Sequence, residues 1–169
     1  MSAFRERLSG RKKPVVGVIG LGYVGLPLAM EFALGSCPVI GVDIDPEKPV
    51  QLAAKKSYLK HIPDERVARA MDTGLLTVSN DFSLLAGVDA VIIAVPTPLG
   101  NHRQPDLGFV INSCREVTAV LQRGQLVVLE STTYPGTTRD EMVPVLESSG
   151  LKAGADFHVA FSPEREDPG

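Results

Sequence analysis

The chain has 169 residues, of which 44% are hydrophobic and 22% charged, with a formal net charge of −3. These values are typical of one globular domain with a sizeable core, and they give no reason to expect nucleic acid or an anionic membrane as a partner. No apolar run approaches the ~20 residues of a membrane span, and the basic stretch 1–13 lacks the apolar segment of a secretory signal. We therefore expect a cytoplasmic protein with a flexible lead-in over 1–13 and a single domain over 14–169.

An apolar run at 15–19 ends in three glycines, Gly20, Gly22 and Gly25, and a helical pattern follows. This G-x-G-x-x-G arrangement predicts a buried parallel strand, a tight turn and a helix whose N-terminus faces a ligand. Gly20 allows the turn, Gly22 lets a pyrophosphate approach the backbone, and Gly25 lets the helix pack closely on the strand. The free N–H groups at that helix end favour a dianion. The motif alone is a weak indication, because an ordinary glycine turn also fits it.

A second short apolar run, 39–42, ends in Asp43, and its position supports the same interpretation. The dinucleotide fingerprint places an acidic residue about 20 residues after the glycines. Such a carboxylate accepts hydrogen bonds from the adenosine ribose hydroxyls and repels a 2′-phosphate, so NAD is favoured over NADP. The alternative is that Asp43 and Asp45 cap the helix that begins near Pro46. We assign capping to Asp45 and ribose binding to Asp43.

The rest of the chain alternates between helical and strand patterns. Helices are predicted at 23–34, 46–56, 64–72, 106–121 and 137–148, the last kinked at Pro144, with a helical turn at 81–85. Strands are predicted at 15–19, 39–42, 75–78, 90–95, 126–129 and 157–161. The unbroken β-branched run at 90–95 is typical of a strand covered on both faces. The pattern predicts an α/β fold, a doubly wound parallel sheet (Rossmann) of about six strands in a single domain.

Several residues are assigned structural roles. Asp64 and Asp106 are predicted helix N-caps, and segment 57–63 fits neither period, so it is expected to form an ordered excursion. Cys37 and Cys114 have neither metal-ligand spacing nor a disulfide framework; Cys37 is expected to be a buried or unreactive thiol and Cys114 a core residue. No metal site is predicted, because the histidines are scattered along the chain, at His61, His102 and His158.

Polar segments follow the predicted strands at one edge of the sheet, where ligands bind in such folds. They are Gly-Leu-Gly-Tyr-Val-Gly-Leu-Pro at 20–27, Ala-Val-Pro-Thr-Pro-Leu at 94–99, Glu-Ser-Thr-Thr-Tyr-Pro-Gly-Thr-Thr at 130–138 and Phe-Ser-Pro-Glu-Arg-Glu-Asp-Pro-Gly at 161–169. Together they resemble the N-terminal NAD-binding domain of the UDP-glucose/GDP-mannose dehydrogenase family. The last segment is most similar to the branch that acts on UDP-N-acetylglucosamine. Lys55 departs from the family pattern, which has glycine there.

The resemblance implies an NAD-dependent oxidoreductase of polysaccharide biosynthesis. Two NAD molecules in succession take hydrides from C6 of a UDP-sugar, which becomes a carboxylate through an aldehyde and an enzyme thioester. The family's nucleophilic cysteine, linking helix and sugar-nucleotide domain correspond to nothing in 1–169. The resemblance therefore implies that residues 1–169 bind NAD but are inactive alone. It also implies that the full-length protein is a homodimer, whereas residues 1–169 alone are expected to be a monomer.

The resemblance also assigns site residues, motif by motif. The residues that hold the pyrophosphate are Gly20, Gly22, Tyr23, Val24 and Gly25. The adenosine ribose is assigned to Asp43 and Lys48. The nicotinamide side is assigned to Pro96, Thr97, Ser131 and Thr132. Glu164 aligns with the family's acid/base carboxylate, which with Thr132 positions the water that hydrolyses the thioester; a carboxylate suits that role because it accepts a proton at neutral pH. Glu164 and Arg165 align with residues near the sugar nucleotide.

Each assignment has a structural alternative. In the alternative, Lys48 is a solvated charge on a helix and Thr97 is a rigid turn residue between two prolines. Glu164 would then be a surface turn residue. The hydroxyls of Thr132 and Thr133 are otherwise caps. Two other functions stay open: the NAD-binding domain of a 3-hydroxyacid-type dehydrogenase, and an NAD-binding module without catalysis. The sequence does not identify the sugar among UDP-N-acetylglucosamine, UDP-N-acetylmannosamine and UDP-glucose.

Overall fold

A computed structural model of the chain describes residues 3–10, 12–99 and 105–163. Its strands are β1 (Val16–Ile19), β2 (Val39–Val42), β3 (Leu76–Ser79), β4 (Ala90–Ile93), β5 (Leu126–Leu129) and β6 (His158–Phe161). Its α-helices are α1 (Ala3–Arg7), α2 (Gly25–Leu34), α3 (Glu47–Ala53), α4 (Asp64–Asp72), α5 (Gly108–Val120) and α6 (Val143–Glu147). A 3-10 helix spans Phe82–Gly87 and a π-helix spans Thr137–Met142. Within the described ranges, no helix has the length and apolar character needed to cross a membrane.

The strands form one parallel sheet in the order β3-β2-β1-β4-β5-β6. β1 lies beside both β2 and β4, with Val16 opposite Val39 on one side and Ala90 on the other. The chain builds outward from β1 to β3 and then crosses back to β4. That reversal opens a crevice at the carboxyl ends of β1 and β4, where ligands bind in this fold. The predicted doubly wound parallel sheet of six strands is confirmed.

The core has two parts, one on each face of the sheet. Side chains alternate along β1, so Val16 and Val18 join one cluster while Ile19 joins the other. The first cluster packs α2 and α4 on the sheet through fully buried residues such as Leu26, Met30, Val67 and Ala70. The second packs α5 and α6 through Val110, Cys114, Val117 and Leu146. Because helices cover both faces of the sheet, the carboxyl ends of the strands are the place where this fold binds ligands.

The lead-in differs from our expectation, because Ala3–Arg7 form a helix docked on the domain. Arg7 explains the docking: its Nη2 donates to the Val88 carbonyl at 2.7 Å and its Nε to Asp89 Oδ1 at 3.1 Å. Gly124 lies so close that a Cβ there would sit 2.5 Å from the Ala3 carbonyl oxygen. A buried carboxylate requires a charge partner, and Arg7 supplies it from the amino end of the sheet.

Capping by Asp45 is confirmed, whereas the N-cap of α5 is Leu107 rather than Asp106 and that of α4 is Pro63 rather than Asp64. The carboxylates of Asp45 and Asp106 accept hydrogen bonds from the first helical N–H groups of α3 and α5, at 3.0 and 2.8 Å. Asp64 instead begins α4, and its carboxylate accepts the Ser57 N–H at 2.8 Å and an Nζ–H of Lys56 at 2.8 Å. It therefore fastens the excursion 57–63 rather than capping its own helix.

Two backbone features also bear on the sequence predictions. The helix predicted over 137–148 changes type just before Pro144: a π-helix ends at Met142 and α6 starts at Val143. Proline clashes with the carbonyl four residues earlier in an α-helix, so the wider turn accommodates it. Lys55, where the resemblance predicts glycine, adopts a φ of +58°, a left-handed conformation that glycine adopts at less cost.

Candidate cofactor site

The glycine turn after β1 has the packing that its spacing predicts. Gly20 has a φ of +90°, and a Cβ there would lie 2.5 Å from the Ala94 carbonyl oxygen. A Cβ on Gly25 would lie 1.8 Å from the Gly20 carbonyl oxygen, so the predicted close packing of α2 on β1 is confirmed. A Cβ on Gly22 would meet nothing within 4 Å. Gly22 therefore borders open space, as the approach of a pyrophosphate requires.

The start of α2 presents free hydrogen-bond donors. Within the part of the chain that the structure describes, the N–H groups of Gly22, Tyr23, Val24 and Gly25 have no hydrogen-bond acceptor. The N–H of Leu21, by contrast, donates to Asp43 Oδ2 at 2.7 Å. Such free N–H groups at the positive end of the helix dipole attract a phosphate. The turn and the helix start together make a cradle for an anionic group.

Asp43 lies at the tip of β2 and is buried. Its Oδ2 accepts from the Leu21 N–H and from Lys48 Nζ, each at 2.7 Å, and its Oδ1 accepts from the Asp45 N–H at 3.0 Å. Each carboxylate oxygen accepts two hydrogen bonds, so Oδ1 retains one position for a ligand hydroxyl. The structure thus brings the predicted ribose residues Asp43 and Lys48 into direct contact.

Two clefts meet at the glycine turn. The first cleft, of about 380 Å³, contains Gly20, Gly22, Asp43 and Lys48, and exposed Ile44 and Phe109 add apolar walls. The second cleft, of about 260 Å³, contains Tyr23, Val24, Thr97, Ser131 and Thr132. Both include Gly22, Ala94, Val95 and Pro96. The described part of the predicted site therefore lies along one rim, with Gly22 in the middle.

Two hydroxyls tie together the loops that follow β4 and β5. Ser131 Oγ donates to the Val95 carbonyl at 2.8 Å, and Thr97 Oγ1 donates to the Thr132 carbonyl at 2.7 Å. These bonds fix the shape of the second cleft and leave both oxygens able to accept. Among the described residues, nothing hydrogen-bonds to the hydroxyl of Thr132, which is exposed and available to a ligand. Glu130 also lines this cleft.

The remaining predicted residues lie elsewhere or outside the described ranges. Glu164 and Arg165 belong to the undescribed positions, so their predicted roles stay predictions. A wider depression of about 640 Å³, formed by 133–139 and Phe161, contains Thr133 but none of the residues assigned to the cofactor. Within the described ranges, no group of three or more His, Cys, Asp or Glu side chains is arranged to hold a metal ion.

Both thiols are buried, as the sequence predicted. Burial raises the pKa of Cys114 to about 12, and Cys37 Sγ donates to the Pro14 carbonyl at 3.0 Å. Burial also raises the pKa of Cys37, although nearby Lys13 opposes the effect. A thiol acts as a nucleophile only as thiolate, so neither cysteine is prepared for covalent catalysis.

The sequence analysis missed Tyr58, which contacts the glycine turn from the excursion 57–63. Its hydroxyl donates to the Leu21 carbonyl at 2.5 Å, and Lys48 Nζ lies 5.8 Å from the centre of its ring. Burial, and then the charges of Asp43 and Asp45, raise the pKa of Tyr58 above its usual range. No periodicity or motif marks this residue, because its partner lies 37 positions earlier.

Comparisons with known proteins agree with this geometry. The model of the UDP-glucose/GDP-mannose dehydrogenase family, NAD binding domain, matches residues 15–169. UDP-N-acetyl-D-glucosamine 6-dehydrogenase of Salmonella typhi is 39% identical over 155 residues, which are 91% of this chain and 36% of that protein. UDP-N-acetyl-D-mannosamine dehydrogenase of Pyrococcus horikoshii is 39% identical over 156 residues, covering 91% of this chain and 37% of that protein.

A solved structure supports the same assignment. NDP-N-acetyl-D-galactosaminuronic acid dehydrogenase from Methanosarcina mazei Go1 matches with a TM-score of 0.88 and 37% identity, over 99% of this chain and 38% of that one. The chain thus spans little more than a third of the length of these relatives. The cofactor predicted from the glycines and Asp43, NAD, is the one that the matching family binds. The chain belongs to the UDP-glucose/GDP-mannose dehydrogenase family, as its NAD-binding domain.

Proposed function

We propose that this chain forms the NAD-binding part of a nucleotide-sugar 6-dehydrogenase, which oxidises C6 of a UDP-sugar to the uronate. The observation that carries the proposal is the row of free N–H groups at the start of α2, directly beside the buried carboxylate of Asp43. A dinucleotide needs both features in line, one for its pyrophosphate and one for its ribose. When bound, the nicotinamide accepts a hydride from the substrate carbon.

The two clefts suggest which part of the cofactor each residue binds. In the first cleft, Asp43 receives the adenosine ribose hydroxyls and Lys48 balances its charge. In the second cleft, Pro96, Thr97 and Ser131 hold the nicotinamide side. Thr132, with its exposed hydroxyl, and Glu164 take the water-positioning role, and Arg165 contacts the sugar nucleotide. The catalytic and substrate roles rest on the family resemblance.

The proposals for the full-length protein rest on the family resemblance and on the relatives' names. We propose a UDP-sugar as the substrate, a homodimeric full-length enzyme and a cytoplasmic location. We also propose that residues 1–169 bind NAD without oxidising UDP-sugars alone, because both thiols are buried. The alternative of a 3-hydroxyacid-type dehydrogenase has no support from the matching family, whose model covers residues 15–169.

Asp43→Asn tests the cofactor site. The wild-type chain should bind NAD and discriminate against NADP, because the carboxylate repels the 2′-phosphate. The variant should lose about 10- to 100-fold in NAD affinity, the size of one or two hydrogen bonds to a charged group. It should also bind NAD and NADP with nearly equal affinity. Isothermal calorimetry with both cofactors measures the two effects.

Asp72→Asn is the matched control, since it removes the same charge from an exposed residue paired with Lys55. NAD affinity should not change in this variant. Wild-type chain that binds NAD and NADP equally, or an Asp43→Asn variant that keeps full discrimination, would refute the ribose assignment.

A further inference from the structure

Leu21, the first variable residue of the glycine turn, has both of its backbone polar groups held by side chains. Its N–H donates to Asp43 Oδ2 at 2.7 Å, and its carbonyl accepts the Tyr58 hydroxyl at 2.5 Å. The Leu21 side chain is fully buried in the core. The turn is therefore fixed from two directions, by the tip of β2 and by the excursion 57–63.

The second of these bonds sets the direction of a free N–H group. The described residues contain no cis peptide bond, and in a planar trans peptide the C=O and the following N–H point in opposite directions. Since the Leu21 carbonyl points toward Tyr58, the Gly22 N–H points away from Tyr58. Gly22 lines both clefts and borders open space. The Tyr58 hydroxyl thus holds the same peptide unit that carries this N–H.

Tyr58 is itself held in place. Leu59 and Ile62, from the same excursion, are buried in the first core cluster. The His61 ring stacks on the Tyr23 ring, with centres 5.3 Å apart and an angle of 13° between the planes. The excursion therefore contacts residues on both sides of Gly22. Burial raises the pKa of Tyr58, so its hydroxyl keeps the proton that it donates to Leu21.

We propose that Tyr58 is a positioning residue for the cofactor's pyrophosphate. Its hydroxyl holds the Leu21 carbonyl and thereby directs the Gly22 N–H to the place where the pyrophosphate lies. This inference rests on the proposed function of the two clefts as an NAD site. It assigns a role to the excursion 57–63, which lies outside the glycine motif and the strand ends.

Tyr58→Phe tests the proposal, with ADP and adenosine as probes. ADP carries the pyrophosphate and adenosine lacks it, so a positioning role affects only ADP. In calorimetric titrations we expect ADP to bind about tenfold more weakly to the variant, the effect of one hydrogen bond, while adenosine affinity stays the same. A general structural defect would weaken both ligands equally. Tyr134→Phe, which removes an exposed hydroxyl near Glu141, is the matched control and should change neither affinity.

The other possible results of these titrations contradict either the proposed function or the role of Tyr58. If the wild-type chain binds neither ADP nor NAD, the proposed function fails, and this inference fails with it. If the wild-type chain binds ADP and Tyr58→Phe binds it equally well, only the positioning role is overturned. Thermal melting monitors folding of both variants. A Tyr58→Phe chain that does not fold, or that loses adenosine and ADP affinity to the same extent, would make Tyr58 a folding residue and overturn the proposal.

Discussion

Replacing Gly25 by alanine is expected to lower the free energy of unfolding by about 3 kcal/mol or more. The added Cβ would lie 1.8 Å from the Gly20 carbonyl oxygen and 3.3 Å from the Ala94 Cβ. Both atoms belong to the strand side of the site, so α2 must move away from β1. That movement also shifts the free N–H groups at the helix start, and NAD binding should be lost. Urea unfolding and calorimetric titration with NAD measure the two effects.

Variants at two other glycines distinguish the effect of packing from the effect of ligand contact. A Cβ on Gly87 or on Gly22 meets nothing within 4 Å, and neither residue has a positive φ. Gly87→Ala should therefore change stability by less than about 0.5 kcal/mol and leave NAD affinity unchanged. Gly22→Ala should also fold normally but bind NAD weakly, because its methyl group occupies the pyrophosphate's approach. Equal stability of Gly25→Ala and Gly87→Ala would contradict the packing argument.

The second large effect is expected at the amino end of the sheet, where Arg7 pairs with Asp89. The side chain of Asp89 is 0% exposed and that of Arg7 is 13% exposed. Asp89 Oδ2 also accepts the Val15 N–H at 2.8 Å. Arg7→Met removes one partner of a buried ion pair, so the free energy of unfolding should fall by about 3–5 kcal/mol. Urea unfolding followed by circular dichroism measures the change.

Arg66→Met is the matched control, because Arg66 and Glu31 form an exposed ion pair with side chains 38% and 60% exposed. Such pairs contribute about 0–1 kcal/mol, so the variant should unfold nearly as the wild type does. Asp89→Ala combined with Arg7→Met should cost less than the sum of the single changes, since the two share one interaction. An Arg7→Met variant as stable as Arg66→Met would show that α1 contributes nothing to the fold.

Much of this architecture follows from local sequence patterns. The parallel sheet and the candidate rim residues were predictable because β-branched runs alternate with helical periods and each run ends in Gly, Asp, Pro-Thr-Pro or Glu-Ser-Thr. In a parallel sheet, those carboxyl ends necessarily share one edge. Asp43 was identified by its distance from the glycines, and Cys114 by its place on the apolar stripe of α5.

The long-range polar contacts were not predictable in the same way. Arg7 meets Asp89 across 82 positions and Tyr58 meets Leu21 across 37, so neither pair leaves a periodic signal. Asp64 resembles a helix cap in sequence, but the nearby Ser57 N–H takes its carboxylate instead. In each case the tertiary fold selects the hydrogen-bond partner. Of these contacts, the one between Tyr58 and Leu21 lies at the rim, whereas Arg7 and Asp89 meet at the amino end of the sheet.

The most direct test of a dinucleotide rim is an NAD titration of the ¹⁵N-labelled chain, followed through its backbone amide spectrum. We expect the shifted signals to concentrate at Gly22, Tyr23, Asp43, Thr97 and Thr132, while amides at the amino end of the sheet, around Gly124, stay in place. An unchanged spectrum at saturating NAD, or shifts that cluster at the amino end instead, would contradict the account.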